Sequence, residues 1–254
     1  MPQVLDFGYC NLIESWGSDS RIIEAARMST DKGFQGWGPK SNCKHCGAYI
    51  DSPNLLTSNS CSKKEHDFSG DEKLLRYLWE HKHSTPFEMA GMTIEVQVPI
   101  FVAREWHRHR TQSYSELSSR YTSLHDLYYI PSVERLMAGK QSKSNKQSSD
   151  EGFTEKQAFD LRGDIGYQTQ QSRNMYNLLL ERGVSRELAR LVIPMNQYTR
   201  FRASANLRNW CDFLRLRLHE SAQLEIRCYA KEVAILVKDR FPRTMELLDE
   251  ELQP

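Results

Sequence analysis

The residues best suited to chemistry lie in one run, residues 104–120, in which basic side chains are interleaved with aromatic ones. The run holds four Arg, two His and two Glu. Guanidinium groups bind phosphates through paired, planar hydrogen bonds, so this composition indicates an anion site. A solvated helix face is the ordinary alternative for a run of charges. The central cations weigh against that alternative, because they repel one another unless an anion binds.

The backbone conformation of this run determines where its side chains point. In a helix, Arg104 and Arg108 share one face because they are four residues apart. If residues 108–110 are instead extended, Arg108 and Arg110 point one way and His109 points the other. Either arrangement presents two guanidinium groups together.

Glu116, Ser118 and Arg120 alternate along the chain, and an extended strand would direct all three at one ligand. That ligand would meet an acceptor, a hydroxyl and a cation together. No His–Asp pair that could activate Ser118 is identifiable in the sequence, and a serine without a base is a poor nucleophile. We therefore expect Ser118 to bind a ligand through its hydroxyl rather than to attack one.

A second arginine-rich region follows later in the chain. Its members are Arg186, Arg190, Arg200, Arg202, Arg208, Arg215 and Arg217. The whole protein is nonetheless almost neutral, with 34 Lys and Arg against 33 Asp and Glu. Such a chain is not a general polyanion binder, so any basic site must be locally concentrated. Two arginine clusters in this background predict a concentrated anion pocket.

The length and composition fit a globular protein. A chain of 254 residues with 39% hydrophobic content suffices for one good-sized domain or two small ones. No apolar run approaches the ~18 residues of a membrane span, and the first residues lack a basic stretch followed by an apolar one. We expect a soluble, cytoplasmic protein in which a disulfide framework is disfavoured.

Hydrophobic periodicity predicts the elements that must position these residues. Helices are predicted over residues 18–29, 71–81, 100–107, from Thr154 to about 182, over 185–192, and from 206 to about 240 with a break near His219. Thr154 and Gln157 form a capping box, and Gly183 ends the long helix. Alternation over residues 92–98 predicts a half-buried strand. The pattern favours one helix-rich α+β domain with a small sheet and a flexible polar loop at 138–152.

The segment from about residue 30 to 70 is irregular and has too little apolar content to form a core element. Cys43, Cys46, Cys61 and His66 within it form a Cys₃His set whose spacing suits structural zinc. Zinc would supply the order that the few apolar residues cannot. The alternative is a flexible insertion whose cysteines bind nothing.

Arg108-His109-Arg110, followed after seven residues by Ser118, matches the signature motif of flavin-dependent thymidylate synthases. The chain resembles this family over most of its length. Further matching segments occur in the family's order at residues 26–29, 81–88, 99–104, 118–121, 129–132, 186–190, 198–201 and 206–208. The resemblance implies the family's fold as a single domain over residues 1–254, with a Cys-rich insertion at about 39–70.

The resemblance also implies a reaction, the methylation of dUMP to dTMP. Methylenetetrahydrofolate would give the carbon, a bound FAD would carry electrons, and NADPH would reduce the flavin. A homotetramer whose active sites combine residues of several subunits is implied as well, with neither nucleic acid nor a membrane as partner. The hydride chemistry belongs to the cofactor.

Site residues carry over onto the matching positions of this chain. For the flavin, the resemblance implies Ser29, His83, Thr85, Arg108, His109, Arg110, Glu116, Asn206, Arg208 and Asp212. For dUMP, it implies Glu105, Arg108, Glu116, Ser118, Ser119, Arg120, Arg190 and Arg217. Arg217 takes the catalytic role beside the uracil, where a permanently charged group favours ionisation at N3.

Four positions depart from the family pattern. Glu105 stands where Gln is common, and Asp212 where a flavin-contacting Asn is usual. Met89 and Ser221 stand where His is common. A carboxylate repels a phosphate unless it is neutralised, which disfavours a direct contact between Glu105 and phosphate. Asp212 lacks the donor that an Asn supplies.

Two other classes of protein remain as alternatives. One is a nucleic-acid-binding protein with a zinc-ribbon-like insertion and two arginine clusters, which the near-zero net charge disfavours. The other is an interaction protein whose insertion docks a partner.

Overall fold

The computed structural model describes residues 3–37, 70–123, 125–139 and 152–253. Within these ranges the strands are Gln3–Val4 (β1), Gly8–Trp16 (β2), Gly91–Pro99 (β3), Ser113–Glu116 (β4) and Tyr198–Asn206 (β5). The helices are Asp19–Arg27 (α1), Gly70–Glu80 (α2), Thr85–Glu88 (α3), Ile100–Trp106 (α4), Val133–Met137 (α5), Glu155–Glu181 (α6), Arg186–Ala189 (α7), Leu207–Arg217 (α8), Leu224–Arg240 (α9) and Pro242–Leu252 (α10). The predicted helix-rich α+β class is confirmed.

The five strands form one sheet in the order β1-β2-β3-β5-β4. β1 pairs antiparallel with β2, and β4 pairs antiparallel with β5. The register between β4 and β5 places Tyr114 opposite Ala203 and Glu116 opposite Phe201. The middle of the arginine-rich run is therefore held against β5, whose Phe201 and Ala203 are buried.

The chain divides into two compact units. Unit 1 comprises Met1–Ile13, Thr93–Ser204 and Leu216–Val233. Unit 2 comprises Glu14–Met92, Ala205–Arg215 and Ala234–Pro254. Each unit is assembled from three separated segments, so neither corresponds to one continuous stretch of sequence. The expected single domain over residues 1–254 stays a prediction.

The core of unit 1 is rich in aromatic rings at the end of α4. Trp106 is fully buried, and its ring makes edge contacts with Phe201 at 5.6 Å and Tyr229 at 6.2 Å between centroids. The His107 ring lies 5.0 Å from Phe201 and 4.6 Å from Tyr114. Aromatic pairs stabilise a fold by about 0.5–1.5 kcal/mol each beyond the area they bury. Packing therefore fixes the point where α4 passes into the arginine-rich turn.

In unit 2 a buried carboxylate caps the last helix. Asp19, in the first turn of α1, accepts hydrogen bonds from the Arg243 backbone N–H at 2.9 Å and from the Thr244 hydroxyl at 2.6 Å. These donors belong to the first turn of α10, where a negative charge is favourable. Burial raises the pKa of Asp19, and the hydrogen bond from Thr244 opposes that rise. Glu72 of α2 pairs with the Arg243 side chain, so α1, α2 and α10 are joined through polar contacts.

The predicted helices agree with the structure to within a few residues at each end. The capping box of Thr154 and Gln157 is present at the start of α6, and Gly183 follows its end with φ of 81°. The strands β1, β2 and β5 and the helices α3, α5 and α10 were not predicted. In β5 the buried side chains after Phe201 are Ala203 and Ala205, and alanine gives little signal for a strand.

Two predicted features lie outside the described residues. One is the proposed zinc set of Cys43, Cys46, Cys61 and His66, and the other is most of the polar loop at 138–152. In the parts of the chain that are described, no helix is long and apolar enough to cross a membrane. The same parts contain no group of three His, Cys, Asp or Glu side chains placed to hold a metal ion.

Candidate functional site

The Arg108–His109–Arg110 segment forms a turn directly after α4, rather than the helix or extended strand considered from the sequence. Backbone bonds from Arg108 N to Glu105 O (3.2 Å) and from His109 N to Trp106 O (3.0 Å) close it. Arg108 and Arg110 are exposed, while His109 between them is half-buried. The exposure of the three side chains therefore alternates, as the extended alternative expected, although the backbone is a turn.

Three side-chain contacts hold this turn in place. The indole N–H of Trp106 donates to the Gln112 amide oxygen at 3.1 Å. The Tyr114 hydroxyl donates to the His109 carbonyl at 2.8 Å and lies 3.2 Å from the Trp106 carbonyl. Burial raises the pKa of Tyr114, which keeps its hydroxyl proton available as a donor. The Trp106 carbonyl at the end of α4 is therefore satisfied locally.

Arg217, the last residue of α8, is held against this turn by Glu105 and His109. One guanidinium nitrogen, Nη1, donates to Glu105 Oε1, and Nη2 donates to the Glu105 carbonyl at 3.3 Å. Its Nε donates to His109 Nε2 at 2.8 Å. Burial raises the pKa of Glu105, and the nearby charge of Arg217 opposes the rise. Residues more than 100 positions apart thus meet at the predicted catalytic arginine.

The expected strand through Glu116, Ser118 and Arg120 is wrong beyond Glu116. β4 ends at Glu116, and a bond from Tyr121 N to Ser118 O at 3.1 Å closes a turn. Leu117 N still donates to the Arg200 carbonyl at 2.9 Å, and the chain then leaves β5, because Tyr121 N and Thr122 N both bond back to the Ser118 carbonyl. The three side chains therefore do not share one strand face.

The individual side chains of this turn have local contacts. Glu116 Oε1 accepts a hydrogen bond from the buried Thr199 hydroxyl at 2.6 Å. The Ser118 hydroxyl accepts from the Arg120 backbone N–H at 3.4 Å, and Ser119 is half-buried beside it. The Arg120 guanidinium donates to the Tyr121 hydroxyl at 2.7 Å and remains exposed.

Arginines of the predicted site fall into two classes by their charge partners. Among the described residues, no carboxylate pairs with the four exposed side chains Arg108, Arg110, Arg120 and Arg190. Arg190 donates instead to the Glu187 carbonyl at 3.2 Å. Other arginines of the second region are paired with carboxylates, namely Arg202 with Glu95, Arg208 with Glu88, Arg215 with Glu251 and Arg217 with Glu105.

The idea that both arginine regions are anion clusters therefore needs correction. Four members of the second region are neutralised within the chain, because strands and helices distant in sequence bring glutamates to them. Arg190 of the second region and Arg108, Arg110 and Arg120 of the first have no carboxylate beside them among the described residues. Their positive charge is therefore available to an anionic ligand. All four unpaired arginines named above belong to unit 1.

Unit 2 contains a cavity of about 720 Å³. Of the predicted flavin residues, His83, Arg208 and Asp212 line it. Its wall also carries the Trp79 ring, over which the Arg215 guanidinium lies at 4.9 Å from the centroid. Its size falls in the range of ~300–1,000 Å³ found for ligand sites.

Charges around this cavity are largely compensated. Arg215 donates to Asp212 at 2.6 Å and to Glu251 at 2.9 Å. The hydrogen bond from Arg76 and its charge hold the pKa of Glu250 below its ordinary value. Burial raises the pKa of the Cys211 thiol to about 12, so that thiol lines the cavity uncharged. An anionic ligand would have to compete with these internal carboxylates.

Three other predicted flavin residues do not line the cavity. Ser29 is exposed after α1 and donates to the Ala26 carbonyl at 3.2 Å. Thr85 is exposed at the start of α3. Asn206 ends β5, and its side-chain oxygen accepts from the Asn209 backbone N–H at 3.0 Å, which caps α8.

Sequence reasoning missed several residues of the cavity wall. They are Arg76, Trp79, Lys82, Glu250 and Glu251, together with Arg215 as a wall residue. Arg76 and Trp79 lie on a predicted helix with a spacing of three, which was a usable signal. The glutamates lie on α10, and no helix was predicted there.

The sequence profile of the thymidylate synthase complementing protein family matches residues 11–243. The chain belongs to this family. Relatives include the flavin-dependent thymidylate synthase of Thermus thermophilus, 37% identical over 249 residues, which span 98% of this chain and 78% of the relative. The flavin-dependent thymidylate synthase of Thermosipho africanus is 37% identical over 244 residues, or 96% of this chain and 92% of the relative.

Solved structures of the same fold include the UMP/dUMP methylase PolB from Streptomyces cacaoi bound with 5-Br dUMP. It is 26% identical, with a TM-score of 0.75, and the match covers 98% of this chain and 97% of PolB. These relatives confirm the resemblance found in the sequence. They do not support the nucleic-acid-binding alternative.

Proposed function

We propose that this member of the family is a flavin-dependent thymidylate synthase that methylates dUMP to dTMP. Methylenetetrahydrofolate would donate the carbon, FAD would be the redox cofactor and NADPH the reductant. The observation that carries the proposal is that Arg108, Arg110, Arg120 and Arg190 are exposed and lack carboxylate partners among the described residues. The resemblance assigns these four arginines to the flavin or to dUMP, whereas Arg202 of the same unit is paired with Glu95.

The residues present fit a flavin dinucleotide. Arg108 and Arg110 offer two unpaired guanidinium groups on one short turn, which suits a diphosphate. In unit 2, His83 and Arg208 line a cavity with an aromatic wall, which suits a planar polar ring or a nucleoside. Asp212 accepts but does not donate when ionised, so it would bind an N–H or O–H group of the cofactor. Bound FAD supplies the electron transfer that no side chain here can perform.

The nucleotide would be held mainly by charge. Arg120 and Arg190 would bind the phosphate dianion of dUMP, with the Ser118 and Ser119 hydroxyl groups adding hydrogen bonds. Arg217 would lie beside the uracil and stabilise negative charge at N3 without changing its own protonation. Three of its five N–H donors are used by Glu105 and His109, and no described residue accepts from the other two.

We also propose that the protein assembles as a homotetramer. The 27-residue helix α6 supports this proposal, because it buries only Ala158, Thr169 and Tyr176 among its described side chains. Large apolar side chains on it are left open to solvent, with Phe159 66% and Tyr167 68% exposed. Exposed apolar surface of this kind is typical of subunit contacts.

The proposed activity is tested by tritium release from deoxyuridylate labelled at C5. The purified protein should be yellow, or become so with added FAD, and NADPH should bleach the flavin absorption. Tritium release should require FAD, NADPH and methylenetetrahydrofolate together. Colourless protein that takes up no FAD and releases no tritium under any combination would refute the proposal.

A further inference from the structure

We propose that Glu105 is a positioning residue that orients the Arg217 guanidinium and, through it, fixes which ring nitrogen of His109 carries the proton. The proposal rests on the proposed function for its effect on catalysis, but the arrangement itself can be tested without turnover. In the family pattern Gln is common at this position. A carboxylate here gives this chain an ion pair that an amide would not form.

The three residues that carry the proposal all belong to unit 1. Glu105 lies in the last turn of α4, His109 in the turn after it and Arg217 at the end of α8. Glu105 receives Arg217 through both its side-chain Oε1 and its own backbone carbonyl. Two acceptors on one residue fix the plane of a guanidinium, because its donors form a rigid fork. That plane directs Arg217 Nε at His109.

The contact between Arg217 and His109 is compatible with only one protonation form of the imidazole. Arginine is a donor at every nitrogen and has no acceptor. The 2.8 Å bond from Arg217 Nε therefore requires a lone pair on His109 Nε2. The imidazole must then be neutral with its proton on Nδ1. Protonation of His109 at Nε2 would break this bond, so Arg217 excludes that form.

The charge state of Glu105 controls how firmly Arg217 is held. The groups that face the carboxylate are Arg217 from α8 and Glu225 from α9. Burial raises the pKa of Glu105, Arg217 opposes the rise and Glu225 adds to it. The second oxygen, Oε2, is buried and has no partner among the described residues, so it is the atom available for a proton.

A pH dependence follows from these contacts. Above the raised pKa, Glu105 is a carboxylate and the ion pair with Arg217 is complete. As the pH falls through that pKa, Glu105 becomes neutral and the attraction is lost. Arg217 stays charged and can then reorient, which breaks its bond to His109 Nε2. The ion pair should therefore be lost at a pH above ~4.3, the ordinary pKa of a glutamate.

The first test is ¹⁵N NMR of the full chain with labelled histidine, without substrates. In the wild type, His109 should give the spectrum of the Nδ1-protonated neutral ring. In Glu105→Gln and in Arg217→Lys, the Nε2 resonance of His109 should shift, because Arg217 Nε no longer holds that lone pair in place. Arg217→Lys keeps the charge but lacks the fork, and it serves if the Gln variant misfolds.

A matched control is Glu95→Gln, which removes the carboxylate of another arginine pair in unit 1, the one with Arg202. It should leave the His109 signals unchanged. The proposal would be overturned if the His109 spectrum in both Glu105→Gln and Arg217→Lys were identical to that of the wild type. So would a change in Glu95→Gln as large as that in Glu105→Gln.

The second test is the pH profile of tritium release. Wild type should lose kcat on an acidic limb that Glu105→Gln lacks. At neutral pH the variant should show kcat lower by about tenfold, the scale of one charge-assisted hydrogen bond, with little change in KM for dUMP. Retention of both wild-type kcat and the acidic limb in Glu105→Gln would refute the positioning role. If the wild type releases no tritium, the proposed function fails, while the NMR test still settles the arrangement.

Discussion

Arg217 and Arg202 both pair with a glutamate in unit 1, yet their surroundings differ. Arg202 is exposed and meets Glu95 at 3.3 Å on the sheet. Exposed pairs of that kind contribute about 0–1 kcal/mol to stability. Arg217 is largely shielded and uses its other donors on His109 and the Glu105 backbone. The same residue type is therefore a surface charge in one place and part of a preorganised site in the other.

Arg217→Ala should lower thymidylate formation by at least about 100-fold, the scale found when one preorganised charge donor is removed from an active site. Flavin content should stay near that of the wild type, because other residues are proposed to hold FAD. Tritium release and the flavin absorption per chain measure the two effects. Arg202→Ala, the control, should change neither by more than about twofold. Wild-type turnover in Arg217→Ala would remove Arg217 from its role.

Helix α6 illustrates how one residue type acts differently along a single element. Gly163 lies in the exposed middle of the helix, and Gly183 lies just past its end with φ of 81°. An added Cβ would meet no atom within 4 Å at either glycine. A methyl group would therefore clash with no neighbour at either position, and the two glycines differ only in their backbone conformation.

Gly163→Ala should raise the free energy of unfolding by up to about 1 kcal/mol, because alanine favours a helix interior. Gly183→Ala should lower it by about 1 kcal/mol, because alanine strains the left-handed conformation that ends the helix. Urea denaturation of the two variants beside the wild type measures both changes. Equal shifts of the same sign would contradict this account of the helix end.

A buried charge cluster joins α5 to the start of α9. Glu225 accepts from Arg135 Nε at 2.8 Å and from the Tyr129 hydroxyl at 3.0 Å. Burial alone would raise the pKa of Glu225, but the hydrogen bond and charge of Arg135 outweigh it and leave the pKa below its ordinary value. The folded state therefore binds fewer protons here than the unfolded chain, and stability rises with pH through this range.

Glu225→Gln should lower the free energy of unfolding by about 2 kcal/mol at pH 7, since it leaves Arg135 without its charge partner. Glu225 contributes its stability above the unfolded pKa of ~4.3, and that contribution is lost as pH falls through the lower folded pKa. The difference in the free energy of unfolding between Glu225→Gln and the wild type should therefore become smaller as the pH is lowered, as measured by denaturation at a series of pH values. Glu220→Gln, an exposed neighbour, is the control; a gap that is constant with pH would be inconsistent with the cluster.

At the scale of the whole molecule, α6 presents apolar side chains that the described part of the chain leaves open. The proposed tetramer would cover some of them. Tyr167→Glu should reduce the molecular mass in light scattering below that of four chains, because a charge is costly to bury at an interface. Gln168→Glu, at an exposed neighbouring position, should keep the wild-type mass. Identical masses for the two variants would exclude Tyr167 from the contact.

The cysteine-rich insertion is a second property of the whole chain, and it lies outside the described residues. The zinc proposal predicts about one zinc ion per chain by metal analysis of the purified protein. Cys46→Ser should lower that content, because a Cys₃His set then loses a thiolate ligand. Cys228→Ser, outside the insertion, should not. Metal content unchanged by Cys46→Ser would end the zinc proposal.

Much of the local structure was readable from the sequence. The long helix α6 was predicted with its capping box at Thr154 and its glycine at Gly183, because helix periodicity and end signals are encoded by neighbouring residues. β3 was predicted from simple alternation. β5 was not predicted, because its buried side chains include small alanines that give little strand signal. Its arginines lie on the less buried face of the strand, but in the sequence they resemble a cluster of charges.

The sequence by itself determined the family, the helix-rich α+β class and the identity of the motif arginines, because each depends on residue types at short and regular spacing. Only the tertiary structure decided which of those arginines remain without a carboxylate. Arg217 meets Glu105 and His109 across more than 100 residues, and Arg208 meets Glu88 across 120. Charge compensation between distant segments depends on how the chain folds back on itself, and no local pattern in the sequence records it.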